Sequence, residues 1–318
     1  MSIITKDLDK AIQVLNQNDV VAIPTETVYG LAANAFNEQA VKKIFEIKNR
    51  PFFNPLIVHI KSKAYLEQVA QNIPDQAYQL IDAFWPGPLT LILEKQAHIP
   101  DLVTAGKNTV AVRMPNHLFT LELLSKLDFP LAAPSANPFK GISSTTAAHV
   151  YTYFKHSLNC ILDGGSCQKG LESTIIGFDG DTPILYRHGA VAIEDIEDVI
   201  GSVKTITKEE HSPVAPGMLL KHYSPKTKLI LVDDLADAVA QHRHLKIAVL
   251  AFFPNGNASH AHYHYLSEID SLDQAASNLY QKLHELDTLK LDLIIAQKFP
   301  NIGLGKTIND RLTRASAQ

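Results

Sequence analysis

The sequence predicts an α/β protein of two units joined by a Pro/Gly-containing linker. Three observations carry this. Short β-branched runs alternate with helical spacings through the first 200 residues. The alternation lapses over Gly201–Lys226, where Pro213, Pro216, Gly217 and Pro225 punctuate an aperiodic stretch. It then resumes as a smaller βαβ-type pattern. A length of 318 residues suits about two ordinary domains.

The elements follow in order. Val20–Ile23 is a short buried strand running into a Pro-Thr-Glu-Thr loop. Glu38–Lys48 places Val41, Ile44, Phe45 and Ile47 close to helical spacing, and Pro51 forbids simple continuation. Leu56–Ile60 is a strand, Asp75–Phe84 a helix, and Leu89–Leu93 and Thr109–Met114 are strands. Helix Leu118–Leu127, strand Leu131–Ala133, helix Thr145–Tyr153 and strands Thr174–Phe178 and Ile184–Tyr186 complete a first unit over residues 1–203. After a linker at 204–227, the second unit (228–318) reads as strand Lys228–Val232, helix Leu235–His242 and strand Lys246–Phe252. Helix Leu272–Leu289 carries Ala275, Ala276, Leu279, Leu283 and Leu286 on one face, followed by strand Leu291–Ile295 and helix Thr307–Ala315.

Composition narrows the function. Apolar residues at 46% and charged residues at 19% describe a folding chain. Its 29 Lys and Arg against 33 Asp and Glu, with 16 against 21 in the first 200 residues, argue against a general nucleic-acid or acidic-membrane binder. Two cysteines, Cys160 and Cys167, are too few for a disulfide framework or a four-cysteine zinc site. Met1–Asp7 shows no signal-peptide pattern, and apolar runs such as Ile247–Phe253 are too short to span a bilayer. The expectation is a cytoplasmic protein without membrane attachment.

Four loops collect chemistry. Pro24–Leu31 follows a strand and offers Thr25 and Thr27 hydroxyls. Lys48-Asn49-Arg50-Pro51, with Asn54 and His59 beyond, places two cations at a helix end, where they are able to grip a polyphosphate. Pro134-Ser135-Ala136-Asn137-Pro138 and Gly141–Thr146 bring small hydroxylated residues to a helix start, a setting for an anion. Asp163–Thr174 supplies Glu172 and Ser173, with Arg113 and Arg187 on neighbouring strands; such arginines either pair with buried carboxylates or face a ligand. Singly, each is also an ordinary polar turn, helix terminus or cap.

The order of these motifs, Lys48-x-Arg50 then Ser135-x-Asn137 between the Pro24–Leu31 and Gly164–Thr174 loops, resembles the YrdC/Sua5 family of threonylcarbamoyl-AMP synthases. Pro216–Pro225 resembles the Sua5 interdomain linker, and Gly303–Lys306 with Asn309-Asp310-Arg311-Leu312 the end of its C-terminal domain, so the likeness covers the whole chain. One departure is Lys140, directly after Phe139, where the family often has glycine. The resemblance implies a YrdC-like twisted mixed sheet plus a smaller Rossmann-like domain. It implies L-threonine, bicarbonate and ATP as substrates, Mg²⁺ arriving with ATP, and no protein-held metal. The product would be passed to threonylcarbamoyl-transfer proteins for t⁶A in tRNA, with tRNA met only indirectly. Carried over, Thr27, His59, Arg113, Ala133 and Ser173 would hold threonine. Arg50, Asn54, Thr109, Ser135, Asn137, Ser143, Arg187 and Tyr223 would hold ATP. Lys48 would lie near the phosphates and act with Arg50 in catalysis.

Other patterns are set aside. Gly303–Thr307 lacks the first glycine of a P-loop, that position being Pro300. His260, His262 and His264 read as a solvated patch, and Cys167 as a buried filler. The rival readings are a carbamoyl-adenylate-forming transferase and a non-catalytic RNA-binding protein.

Overall fold

The computed structural model describes residues 3–205, 222–254 and 262–317. The chain opens with β1 (Ile4–Thr5) and α1 (Leu8–Asn16). α1 falls outside the predicted helices, although Asp7 caps it by accepting the Lys10 N–H and Ala11 and Leu15 are buried. β2 (Val21–Ile23) turns back through β3 (Gly30–Asn34), its antiparallel partner. Gly30 and Leu31, read from sequence as loop, therefore belong to a strand.

α2 (Glu38–Lys48), β4 (Ile57–His59), β5 (Ala70–Gln71), α3 (Asp75–Phe84) and β6 (Leu89–Lys95) come next. α4 (Asp101–Thr104), β7 (Thr109–Arg113), α5 (Leu118–Ser125), β8 (Leu131–Ala132) and α6 (Ala147–Phe154) follow. β9 (Ile161–Leu162), β10 (Thr174–Asp179), β11 (Thr182–Arg187), α7 (Ile193–Ile200) and β12 (Lys204–Thr205) complete the larger unit.

Its twelve described strands lie in the order β1-β9-β2-β3-β8-β4-β7-β6-β10-β11-β12, with β5 beside β6. The sheet is mixed, as predicted: β4 pairs parallel with β7 and antiparallel with β8. Alternation across the pleat feeds two layers. Val20 and Ala22 pack with α2 and α3, whereas Val21 and Ile23 pack with α1 and α5.

The smaller unit has β13 (Leu229–Val232), α8 (Leu235–Gln241), β14 (Ile247–Ala251), β15 (Tyr263–Tyr265), α9 (Leu272–Asp287), β16 (Leu293–Gln297) and α10 (Leu304–Ser316). Its strands are all parallel, in the order β13-β16-β14-β15. α10 begins about one turn before the predicted Thr307. Of the predicted linker, Lys204–Thr205 adds a parallel strand to β11, while Pro213, Pro216 and Gly217 lie outside the described residues.

The two units share an apolar seam. Val28, Ile142, Leu171 and Ala190 cluster with Tyr223, Tyr280 and Leu312. The Ser277 hydroxyl on α9 donates to the Gln168 carbonyl at 2.9 Å, and the Thr307 hydroxyl to that of Gly189 at 2.9 Å. Lys306, of the discounted Gly-Lys-Thr run, pairs with Glu194 at 2.7 Å. Gly170 makes the approach feasible: at φ +67° it lies against α9, and a Cβ there would sit 2.3 Å from the Ser277 carbonyl oxygen. Gly170→Ala should therefore cost more than about 1 kcal/mol, from left-handed strain and backbone overlap, read as a lower Tm. An unchanged Tm would mean the units do not approach there.

Candidate active site

The functional loops meet in one cavity of about 50 Å³, room for a few waters. α2 delivers the first cations. Asn49 takes a left-handed backbone (φ 50°), ending the helix, and the Arg50 N–H caps the Phe45 carbonyl at 2.9 Å. This turn sends the two cations in different directions. Arg50 lines the cavity, with Nε donating to the Asn54 carbonyl at 3.2 Å and Nη2 to the Pro55 carbonyl at 2.8 Å. Burial lowers its pKa to about 9, with Arg187 adding to the effect against Tyr223. No carboxylate among the described residues pairs with it.

Lys48 does not line the cavity. Its ammonium is buried and donates to the carbonyls of Ser135 and Asn137, both at 2.5 Å, tying the Ser-x-Asn loop to α2. Burial, reinforced by Arg50, holds its pKa well below the usual lysine value. Asn137 also shapes the loop rather than the cavity wall, its amide donating to the carbonyls of Pro138 at 2.8 Å and Gly141 at 2.9 Å. Lys140 itself adopts the left-handed φ of 70°, so the loop path that glycine would ease is kept.

β4 and β7 set the opposite wall, with His59 in register with Arg113. Arg113 Nε donates to the Gly87 carbonyl at 3.1 Å and Nη1 to the Thr27 hydroxyl at 2.9 Å. Its Nη2 lies 2.6 Å from Glu26 Oε1, a buried ion pair whose angle is not that of a hydrogen bond. Arg113 thus both pairs with a carboxylate and faces the cavity. Burial, aided by Arg113, pushes His59 down to about 3, leaving a neutral imidazole. Ala133 and Ser135 line the same cavity.

The third wall comes from β10 and β11. Arg187 donates from Nη2 to the Ser173 carbonyl at 2.7 Å and hydroxyl at 3.2 Å. Glu172 accepts from the Ser143 hydroxyl at 2.6 Å, the Tyr280 hydroxyl at 2.9 Å and Arg311 Nε at 2.8 Å. Burial alone would raise the Glu172 carboxyl; Arg311, with Arg187 and Ser143, overrides this and holds it at about 2. Ser143 therefore stands behind Glu172. His222 and Tyr223 form the last wall, and the buried Tyr223 hydroxyl has no hydrogen-bond partner among the described residues. Asn54, behind Arg50, is buried, and its amide donor and acceptor have no partner among the described residues.

Thr109 is not brought here. It begins β7 at the end away from Arg113 and lines a separate surface groove with Asn72 and Glu94; its assignment rests on the resemblance alone. The sequence reading gave no role to Glu26, Tyr280 or Arg311. Arg311 had a signal: it falls at helical spacing among Ile308, Leu312 and Ala315, the buried face of α10. Among the described residues no group of three or more His, Cys, Asp or Glu is placed to hold a metal, and His260 lies outside them. Burial pushes the Cys160 and Cys167 thiols up to about 11 and about 12, in keeping with packing roles. No described helix is long and apolar enough to cross a membrane.

A neutral native His59 has a stability consequence. Its folded pKa lies below the unfolded value, so below about pH 6.5 the unfolded chain binds a proton that the native state refuses, and stability falls with pH toward about 3. His59→Gln should remove this contribution. Between pH 7 and pH 5 the wild type should lose about 2 kcal/mol more than the variant in denaturant melts. Parallel pH curves would contradict a buried neutral imidazole.

Comparison with known proteins bears on this arrangement. The Sua5–YciO–YrdC family model, described as telomere recombination, matches residues 13–189. The model described as the threonylcarbamoyl-AMP synthase C-terminal domain matches residues 191–317. Threonylcarbamoyl-AMP synthase of Pyrococcus abyssi is 40% identical over 313 residues, 95% of this chain and 92% of that one. The Bacillus subtilis protein of that name is 40% identical over 318 residues, 96% of this chain and 92% of its own. The crystal structure of P. abyssi Sua5 complexed with L-threonine superposes with a TM-score of 0.91 at 38% identity, covering 99% of this chain and 97% of that one. The chain belongs to the Sua5/YrdC family of threonylcarbamoyl-AMP synthases, in its two-domain form.

Proposed function

We propose that this protein is a cytoplasmic threonylcarbamoyl-AMP synthase, converting L-threonine, bicarbonate and ATP into threonylcarbamoyl-AMP and pyrophosphate. One observation carries the reading: a single cavity offers Arg113, Thr27 and His59 at one end and the buried cations Arg50 and Arg187 at another. The first set suits an amino acid, and the L-threonine held by the P. abyssi relative supports it. The second suits a triphosphate.

Threonine's carboxylate would meet Arg113 by exchange with the Glu26 carboxylate, one negative charge for another. Thr27, Ala133 and Ser173 would surround the rest of the amino acid. Its amine attacks bicarbonate carbon and water leaves, giving a carbamate. A carbamate oxygen then attacks the α-phosphorus, and the bond to the β-phosphate oxygen breaks to release pyrophosphate. Both partners are anions, so neutralisation of charge is the main demand on the protein. Arg50 and Arg187 meet it in a water-poor cavity, and Asn54, Ser135 and Tyr223 are assigned to the nucleotide. Lys48, Asn137 and Ser143 act one layer back, holding the loops that present these groups. No residue is assigned as general base.

Mg²⁺ is read as part of the substrate. Glu172, which lines the cavity, and Glu26, behind Arg113, are engaged by Arg311 and Arg113, so the ion would be held by phosphate oxygens and help neutralise them. Residues 1–203 form the catalytic unit in this reading, 204–227 the linker and 228–318 the C-terminal domain. The product, a labile mixed anhydride, would pass to threonylcarbamoyl-transfer proteins acting on tRNA.

The direct test is pyrophosphate release with ATP, bicarbonate and a panel of amino acids; release that does not depend on threonine would overturn the assignment. Arg50→Ala should cut that release about tenfold or more, the loss of a charge-assisted hydrogen bond of about 1.5–3 kcal/mol. Arg113→Ala should weaken threonine more than ATP in calorimetric titrations, and equal weakening would remove Arg113 from the carboxylate role.

A further inference from the structure

We infer that Arg311 and Tyr280, both from the C-terminal domain, are positioning residues for the nucleotide end of the site, acting through Glu172. This rests on the assignment of Arg187 and Tyr223 to ATP.

Glu172 is one buried carboxylate shared by three segments: the Ser143 loop, α9 through Tyr280, and α10 through Arg311. Its neighbour in the chain, Ser173, holds Arg187 by carbonyl and hydroxyl. Arg311 also donates from Nη2 to the carbonyl of His188 at 2.7 Å, the residue after Arg187. One guanidinium therefore ties the segment just before β10 to the residue just after β11, the strand that ends at Arg187. The same group lies 4.8 Å from the centre of the Tyr223 ring, which stacks on Tyr280 with centroids 5.8 Å apart. Arg311 is 1% exposed and Tyr280 fully buried, so none of these contacts is shared with water.

Removing Arg311 would leave Glu172 buried without its cation, a costly state. The carboxylate would then either take a proton or draw Arg187 off Ser173. Both outcomes disturb the nucleotide end. Of the groups assigned to threonine, Ser173 touches this network through Arg187, while among the described residues Arg113, Glu26 and Thr27 share no hydrogen bond with it, so ATP should be affected more than threonine. A positioning role therefore predicts a split between the two substrates, whereas a merely structural one predicts lower stability without a split. Lysine has no fork to reach Glu172 and His188 together.

The test uses the full-length chain. Arg311→Met should raise the KM for ATP about tenfold or more while changing that for threonine several-fold less. Arg311→Lys should not rescue it. Tyr280→Phe keeps the ring and removes one donor, so it should raise the KM for ATP a few-fold, with the fold intact even if Arg311→Met proves unstable. In the double variant Glu172→Gln/Arg311→Met the ATP defect should be smaller than the product of the single defects. ATP affinity is also measured calorimetrically without threonine, which reads the proposal even if turnover shows a different acceptor. Wild-type ATP affinity in Tyr280→Phe and Arg311→Lys, or equal changes for both substrates, would overturn the inference.

Discussion

Cations held out of water organise this molecule. Lys48, Arg50, Arg113, Arg187 and Arg311 are all nearly inaccessible, and each must be stabilised by groups the fold supplies. Two receive carboxylates, Glu26 for Arg113 and Glu172 for Arg311. Lys48 and Arg50 instead receive backbone carbonyls, those of Ser135, Asn137, Asn54 and Pro55. Carbonyl oxygens solvate a cation without cancelling its charge. The cavity keeps a positive potential, and an anionic substrate completes it.

This division of labour explains why two motifs that look alike act differently. Lys48 and Arg50 are one residue apart, yet the left-handed Asn49 between them separates their tasks. Lysine is a compact donor that fits between two carbonyls, while the longer, forked arginine reaches the cavity and remains bound to the Asn54–Pro55 backbone. The Ser-x-Asn motif is the complement: its carbonyls seat Lys48, and the Ser135 side reaches the cavity wall.

Much of this was legible in the sequence. Period-two and period-3.6 patterns located most strands and helices, because each is buried along a definite face. α1 is an exception that the pattern did support: Leu8, Ala11, Ile12 and Leu15 recur at helical spacing after the Asp7 cap, and the sequence reading passed over it. The end of the Pro24–Leu31 loop was missed as strand because small residues such as Gly30, Ala32 and Ala33 carry little propensity signal. Motif order brought thirteen of the fourteen assigned residues to the cavity or the layer behind it; Thr109 went elsewhere. What a linear reading could not supply was pairing across distance. Nothing near Glu172 announces a partner 139 residues away, and only a charged residue on the apolar face of a helix hints that one is needed.

That distant pairing bears on how separable the two domains are. A chain built of the catalytic unit alone would lack α9 and α10, and so Arg311 and Tyr280. A carboxylate at the place of Glu172 would there be exposed to solvent or matched by a local cation. Adding or losing the C-terminal domain in evolution is therefore not a cut at a neutral joint. It requires a compensating change in the catalytic domain, and position 172 is where this fold would record it.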